Sequence, residues 1–257
     1  MVIAHSKIRC LRFQSRHCIG VQSPLALLLS FLFLSAGVST LKGQEPATRD
    51  EFWPEVDVYI NVKPKFRLFL LGTISKSVED GELFNAQSYE AQVGAHVDYI
   101  PNEHVILRAG YRYGTSVGDN DDGFREHRIL TEQTFKKLLP GSLLLSDRNR
   151  QDFRFISGDF SFRYRNRVTI EREVPLFKGR TITPYASGEL FYDTRFNTWN
   201  RNRWSVGVQQ SLRRGPLLKL LLPRRQVILD LYFTRQNDSR SSTPHVNALG
   251  AALAFHF

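Results

Sequence analysis

Apolar and polar residues alternate along most of the chain after about residue 50, and short polar stretches separate the alternating segments. Within 104–115, Leu107 and Tyr111 fall on one face, whereas Arg108 and Arg112 fall on the other. Successive side chains of a β-strand point to opposite faces, so this period of two predicts strands with one apolar and one polar face. Eleven segments have this character: 54–62, 66–77, 87–100, 104–115, 126–137, 143–155, 160–173, 181–193, 201–213, 225–236 and 245–257.

The connections between these segments differ in length. Longer polar loops lie at 79–85, 116–125, 194–200 and 237–244, and short turns lie at 63–65, 101–103, 139–141 and 177–179. Long loops on one side and short turns on the other are typical of transmembrane barrels, which in single-chain bacterial proteins have an even number of strands. The fold predicted is therefore an all-β, up-and-down antiparallel transmembrane β-barrel of twelve strands, with ten as the alternative.

The last segment has the most regular alternation. Leu249, Leu253, Phe255 and Phe257 share one face, and the chain ends on an aromatic residue. We expect this strand to close the barrel and its terminal Phe257 to be recognised by the machinery that assembles barrels in the outer membrane.

A compact apolar run, Leu25–Val38, follows a basic stretch near the beginning of the chain. Its 14 residues fall short of the roughly 20 that a spanning helix needs, and its flanks are those of a secretory signal. We predict a signal peptide over 1–44, with the cleavage position open, and an outer-membrane barrel over 45–257; an uncleaved anchor helix is the alternative. Because Cys10 and Cys18 both precede the run, the exported part would contain no cysteine.

The formal net charge of +10 is distributed in a way that argues against nucleic-acid binding. Five basic residues and no acidic residue lie in 1–44, which leaves 30 basic and 25 acidic residues in the remainder. The remaining arginines alternate with aromatic residues along predicted strands and form no single basic block. We therefore predict no nucleic-acid partner.

The polar faces of the predicted strands carry many charges. An Arg or Lys that faces lipid near the middle of the bilayer costs about 2–4 kcal/mol, so these residues are expected to face the lumen or the rims and to pair across strands. They could either fill and rigidify the interior or line an anion-selective or solute-binding lumen. The candidate lumen set is Arg108, Arg112, Arg128, Glu132, Arg148, Arg150, Asp152, Arg154, Arg163, Arg165, Arg167, Glu171, Glu189, Arg201, Arg203 and Asp230.

The sequence gives little support to a hydrolytic or a metal-binding site. A lipid hydrolase would need a serine and a histidine in contact at the bilayer surface. Only His245 lies near serines (Ser239, Ser241 and Ser242), and no compact motif links them. Asp119–Gly123 resembles a calcium loop, but its glycine comes early and no glutamate closes it, so a solvated loop is expected. No histidine pair has zinc spacing. We predict no catalytic residues, metal or cofactor.

Several short motifs resemble the bacterial outer-membrane barrel family known as domain of unknown function 2490. They occur in order over about 50–257: Tyr111-Arg-Tyr113, Glu126-His-Arg128 with Glu132, Arg148 to Arg154, Arg163-Tyr-Arg-Asn-Arg167, Pro184 to Phe191, and Asn202-Arg203. The resemblance implies a barrel in the outer membrane of a Gram-negative bacterium, and it implies no particular activity. Asp152 stands where the family pattern favours Glu.

These observations together predict an outer-membrane protein that contacts lipid and has an Arg- and carboxylate-lined lumen. Its role would be structural or porin-like, with an unidentified substrate. Two alternatives from other classes remain. One is a lipid-modifying barrel enzyme, and the other is a soluble periplasmic β-barrel or sandwich that binds a ligand through an apolar inner face.

Overall fold

The computed structural model describes residues 48–78, 87–117, 123–176, 180–212, 226–241 and 244–257. All of them belong to the compact unit Pro46–Phe257. The predicted signal peptide, 1–44, and residues 119–122 of the calcium-like loop lie outside the described residues.

The described residues form β-strands joined by turns. In this part of the chain, no helix is long and apolar enough to cross a membrane. The eleven strands predicted from the sequence are all present, with ends shifted by a few residues. The strands are β1 Thr48–Lys63, β2 Phe66–Val78, β3 Gln87–Asn102, β4 Val105–Ser116, β5 Arg125–Leu139, β6 Leu143–Ile156, β7 Asp159–Arg172, β8 Val174–Pro175, β9 Thr181–Asp193, β10 Thr198–Ser211, β11 Gln226–Asp238 and β12 His245–His256.

One sheet of 12 strands contains all of them, which confirms the predicted barrel and its strand number. The two-residue strand β8 pairs with β9 in the register that β7 already has, since Glu171 faces Tyr185 and Val174 faces Ile182. β8 therefore prolongs β7 along the same side of β9. The ring consequently has eleven places around its circumference.

The closing pair corrects the prediction of an antiparallel sheet throughout. Ten neighbouring pairs in the ring are antiparallel, but β1 and β12 run parallel, with Thr48 facing His245 and Tyr59 facing His256. The reason is geometric. Strands that alternate in direction around a ring of odd number bring a first and a last strand of the same direction together, so the seam must be parallel.

The distribution of side chains is the reverse of that in a soluble protein. Along β5, Glu126, Arg128 and Glu132 are buried inside the barrel at 4–6% exposure, whereas Ile129 on the outer face is 55% exposed. The outer surface carries many further exposed apolar residues, among them Leu107, Phe153 and Trp204. A charged interior within an apolar exterior is the pattern of a membrane-spanning barrel.

Glycines on the inner face receive tyrosine rings from neighbouring strands. Tyr232 on β11 faces Gly250 on β12, and a Cβ atom added to Gly250 would lie 1.9 Å from the tyrosine Cζ. Tyr185 covers Gly207 in the same way, at 2.6 Å. An aromatic ring over a cross-strand glycine fixes the register and allows the sheet to bend.

We predict that Gly250→Ala destabilises the barrel by about 1–3 kcal/mol, because the new methyl group displaces the Tyr232 ring. Gly72→Ala is the matched control, since no atom lies within 4 Å of a Cβ atom at that position. Urea-induced unfolding in lipid vesicles measures both free energies. Equal stability of the two variants would contradict the role assigned to Tyr232.

Candidate functional site

A cavity of about 800 Å³ occupies the interior of the barrel. Alternate residues of β1 from Arg49 to Tyr59 line it. At about 3.3 Å per residue and a strand tilt of about 40°, this stretch covers about 25 Å along the barrel axis. That height matches the apolar band of an outer-membrane barrel, which is about 25 Å. The cavity therefore runs through most of the height of the barrel.

The walls of the cavity differ in charge. Its lining includes fourteen Arg or Lys residues and seven Asp or Glu residues. Eleven of the basic residues come from β4 to β10, whereas five of the acidic residues come from β1, β3 and β11: Glu51, Glu55, Asp57, Glu90 and Asp230. The two sides of the cavity therefore have opposite charge, with an excess of cations overall.

Glu189 on β9 accepts hydrogen bonds from three arginines of two other strands. Its carboxylate lies 3.0 Å from Arg148 Nη2, 3.0 Å from Arg165 Nε and 2.9 Å from Arg167 Nη2. The side chain of Glu189 is only 1% exposed. Arg167 faces Glu189 directly in the β7–β9 ladder, so the strand register places this pair together. One carboxylate thus holds three guanidinium groups on the wall.

A second group of ion pairs lies near the end of the barrel where β5 begins and β9 ends. Arg154 Nε donates to Glu126 Oε1 at 2.5 Å, and Arg154 Nη1 donates to Asp193 Oδ2 at 3.0 Å. Asp193 also accepts from Arg163 and Arg195, and Glu126 from Arg128. The network therefore connects β5, β6, β7 and β9.

A third group is formed by Glu132 and Asp98. Arg150 Nη2 lies 2.7 Å from Glu132 Oε2, and Asp98 pairs with Arg108 at 2.6 Å and with Arg67 at 2.7 Å. The guanidinium of Arg108 stacks over the Phe69 ring, with its Cζ 4.0 Å from the ring centroid. Arg165 lies over Phe191 in a similar way, at 4.7 Å. Aromatic rings inside the barrel thus position the arginines as well as filling space.

Two central residues are not matched in this way. Among the described residues, Arg112 has no carboxylate within 4.0 Å, and its Nε lies 3.2 Å from His96 Nε2. Asp152 is fully buried, and neither of its oxygens accepts a hydrogen bond; its closest cation is Arg165 Nη1 at 4.0 Å. The centre of the cavity wall therefore holds one unpaired guanidinium group and one loosely held carboxylate.

The structure places the sixteen candidate residues as follows. Nine arginines form close ion pairs with carboxylates: Arg108, Arg128, Arg148, Arg150, Arg154, Arg163, Arg165, Arg167 and Arg201. Arg203 donates a hydrogen bond to Gln236, and Arg112 donates one to His96. Glu132 and Glu189 accept hydrogen bonds from arginines, and Asp230 accepts hydrogen bonds from Tyr185 and Gln209. Asp152 is buried among arginines, and Glu171 lines the cavity.

The sequence-based set omitted five described carboxylates that hold arginines: Glu51, Asp98, Glu126, Asp193 and Asp238. Asp193 and Asp238 are the last residues of β9 and β11, where alternation gives no clear signal. Glu126 lies two residues from Arg128 on the same face, so the period of two could have identified it.

Two of the residues considered for hydrolysis, His245 and Ser239, bond to asparagines. His245 Nδ1 lies 2.8 Å from Asn237 Oδ1, and Ser239 Oγ donates to the Asn200 carbonyl. Ser242 is outside the described residues. Within the described ranges, no group of three or more His, Cys, Asp or Glu side chains could hold a metal ion.

We predict that Glu189→Gln lowers the free energy of unfolding by about 3–5 kcal/mol, because it leaves buried guanidinium groups without a carboxylate. Glu171→Gln is the control, since Glu171 lines the same cavity without an ion pair in the described structure, and its loss should change stability little. Urea titration of both variants in vesicles measures the difference. A Glu189→Gln variant as stable as the control would contradict the role of Glu189.

The chain resembles a solved structure and a protein-family model. The solved structure of LpxR from Salmonella typhimurium aligns with 74% of this chain and 83% of its own, with a TM-score of 0.46 and 7% sequence identity. No curated protein matches the sequence significantly. The model of a family described as a protein of unknown function, DUF2490, matches residues 50–222. The chain therefore belongs to the DUF2490 family, as its sequence motifs predicted.

Proposed function

We propose that this protein is an outer-membrane β-barrel whose charged interior forms a narrow passage for small anionic solutes. The observation that carries the proposal is the cavity: it extends through most of the barrel and its lining has twice as many basic as acidic residues. Over a height of about 25 Å, its volume corresponds to a mean cross-section of about 30 Å². Such a passage admits water and small ions.

Membrane placement is supported by the outer surface. Exposed Val, Leu, Ile and Phe residues cover it, and aromatic pairs such as Phe153 with Phe162 and Phe155 with Phe160 lie on its outer face. The soluble alternative requires an apolar inner face, whereas charged residues dominate the interior. A water-soluble sheet with this distribution would expose its apolar face to water at a large cost.

The anionic preference follows from the way the carboxylates are placed. Six carboxylates that pair with arginines or are buried among them do not line the cavity: Asp98, Glu132, Asp152, Glu189, Asp193 and Asp238. The guanidinium groups that they hold do line it, as at Arg148 and Arg167. A solute in the cavity thus meets these guanidinium groups without meeting the carboxylates that hold them.

Export and assembly complete the proposal. Residues 1–44 would direct the chain across the inner membrane, and the strand ending in Phe257 would present its aromatic terminus to the assembly machinery. In the folded barrel, the Phe257 N–H donates to the Tyr59 carbonyl at 2.8 Å, and the Asn61 N–H donates to the Phe257 carbonyl at 3.1 Å. The last residue thus takes part in the parallel seam.

Conductance in a planar lipid bilayer tests the passage. We expect channels whose reversal potential in a KCl gradient shows preference for chloride. Arg112→Gln should reduce that preference, because Arg112 lines the cavity without a carboxylate partner in the described structure. Glu55→Gln, on the acidic wall, should increase it.

Membrane insertion is measured separately, by flotation of the protein with vesicles and by a shift in gel migration on heating. An inserted, folded barrel that conducts no ions would contradict the passage but not the membrane location. Cation-selective channels would contradict the anionic preference. Failure to insert would overturn the whole proposal.

A further inference from the structure

The outward face of β5, β6 and β7 carries a cluster of polar side chains, here called the outer polar patch. It consists of Thr131, Gln133, Asp147, Asn149, Gln151, Tyr164 and Asn166. On each strand these residues alternate with residues that line the cavity or are buried inside the barrel, such as Arg148, Arg150 and Arg165. The patch therefore faces away from the interior, on the surface that is otherwise apolar.

The residues of the patch bond to one another. Asn166 Nδ2 donates to Asp147 Oδ1 at 2.7 Å and to Asn149 Oδ1 at 3.1 Å, and Asn149 Nδ2 donates to Asp147 Oδ2 at 3.1 Å. The hydroxyl of Tyr164 also donates to Asn149 Oδ1. This part of the patch joins β6 to β7.

The other half of the patch joins β5 to β6. Thr131 Oγ1 donates to Gln151 Oε1 at 2.9 Å, and the amides of Gln133 and Gln151 each donate to the other at 3.3 Å. Seven side chains on three strands thus form a hydrogen-bonded surface that includes one formal charge.

The patch lies at mid-height of the barrel wall. Asn149 and Asn166 face each other near the middle of two strands of 14 residues. Toward one end of the barrel, Phe153 packs on Phe162 with ring centroids 5.5 Å apart; toward the other, Leu145 faces Ile170. Apolar residues therefore border the patch on both sides along the membrane normal, so it does not belong to a polar rim.

Lipid chains offer no hydrogen-bond partner to such a surface. Within the described structure, the network gives each side-chain polar atom of the patch at least one bond except Asn166 Oδ1, and it leaves further capacity unused. Asn149, Gln133 and Gln151 each donate one of two amide N–H groups, and each oxygen of Asp147 accepts a single bond. Polar residues on a lipid-facing surface bind other membrane-embedded chains through such unused donors and acceptors.

We propose that the outer polar patch is the interface through which two copies of this barrel associate in the membrane. The inference rests on the membrane placement proposed above. A second copy inserted in the same orientation presents its patch at the same depth, and a two-fold axis along the membrane normal brings the two patches face to face. Amide groups both donate and accept, so the unused N–H groups of one copy can donate to the amide oxygens and to Asp147 of the other.

Cross-linking in vesicles that contain only the purified protein tests this interface. In a background with Cys10 and Cys18 replaced by serine, Gln151→Cys introduces a thiol in the central strand of the patch. Ala251→Cys is the control, because Ala251 lies on the outer face near the middle of β12, on a different part of the wall. We expect copper-catalysed disulfide dimers several-fold more abundant with Gln151→Cys than with Ala251→Cys.

A second variant tests the network itself. Asn149→Leu combined with Asn166→Leu should abolish energy transfer between donor- and acceptor-labelled copies in vesicles, while flotation and heat-shifted migration show that the barrel remains folded and inserted. Equal cross-linking at both cysteine positions, or energy transfer unchanged by the leucines, would overturn the proposal. If the unsubstituted protein inserts but shows no energy transfer, only lipid contacts the patch, and this result would also overturn the proposal.

Discussion

The structure depends on a requirement that buried charges be paired within a closed sheet. A single unpaired ion in the interior costs several kcal/mol, so most arginines that fill a barrel must meet carboxylates in the correct strand register. Arg112, which contacts His96 and lines the cavity, is an exception among the described residues. Glu189, with three arginines from β6 and β7, shows how the requirement is met. The register of β7 against β9 therefore fixes the ion pairs, and the ion pairs in turn favour that register.

The same requirement relates the shape of the cavity to its electrostatics. Several carboxylates that hold guanidinium groups, such as Glu189 and Asp193, lie away from the cavity, while the guanidinium groups of Arg148 and Arg163 that they hold line it. The acidic residues of β1, β3 and β11 lie on a different side of the cavity from this basic wall, and Arg203 of the basic wall lies over the Trp53 ring of β1, at 4.8 Å from its centroid. Glycines under Tyr185 and Tyr232 allow the sheet to bend without adding side chains to the space between the walls. The interior therefore contains both an ion-paired wall and a cavity.

Alternation in the sequence was sufficient to predict the strands and the barrel, because a two-residue period is imposed by the geometry of the strand itself. It also gave the inward position of Arg163, Arg165 and Arg167. Pairing was not predictable, since which carboxylate meets which arginine depends on register, and register depends on the whole ring. The parallel seam was missed because a twelfth strand was expected to take a place of its own in the ring, whereas the short strand β8 prolongs β7. The outer polar patch was passed over for a related reason: Asn166 looked like an isolated exception until β5, β6 and β7 were seen side by side.

The central claim is that the inner face of this barrel meets water while its outer face meets lipid. Nitroxide labels at Ala251 and Ala252, adjacent residues on opposite faces of β12, test it with little disturbance, since Ala252 lines the cavity and Ala251 faces outward. Each label is introduced through a single cysteine in reconstituted vesicles. The account predicts that the Ala251 label collides mainly with oxygen dissolved in lipid, whereas the Ala252 label is the more accessible of the two to heavy water, as measured by deuterium modulation of its electron spin echo. Equal or reversed accessibilities would contradict it.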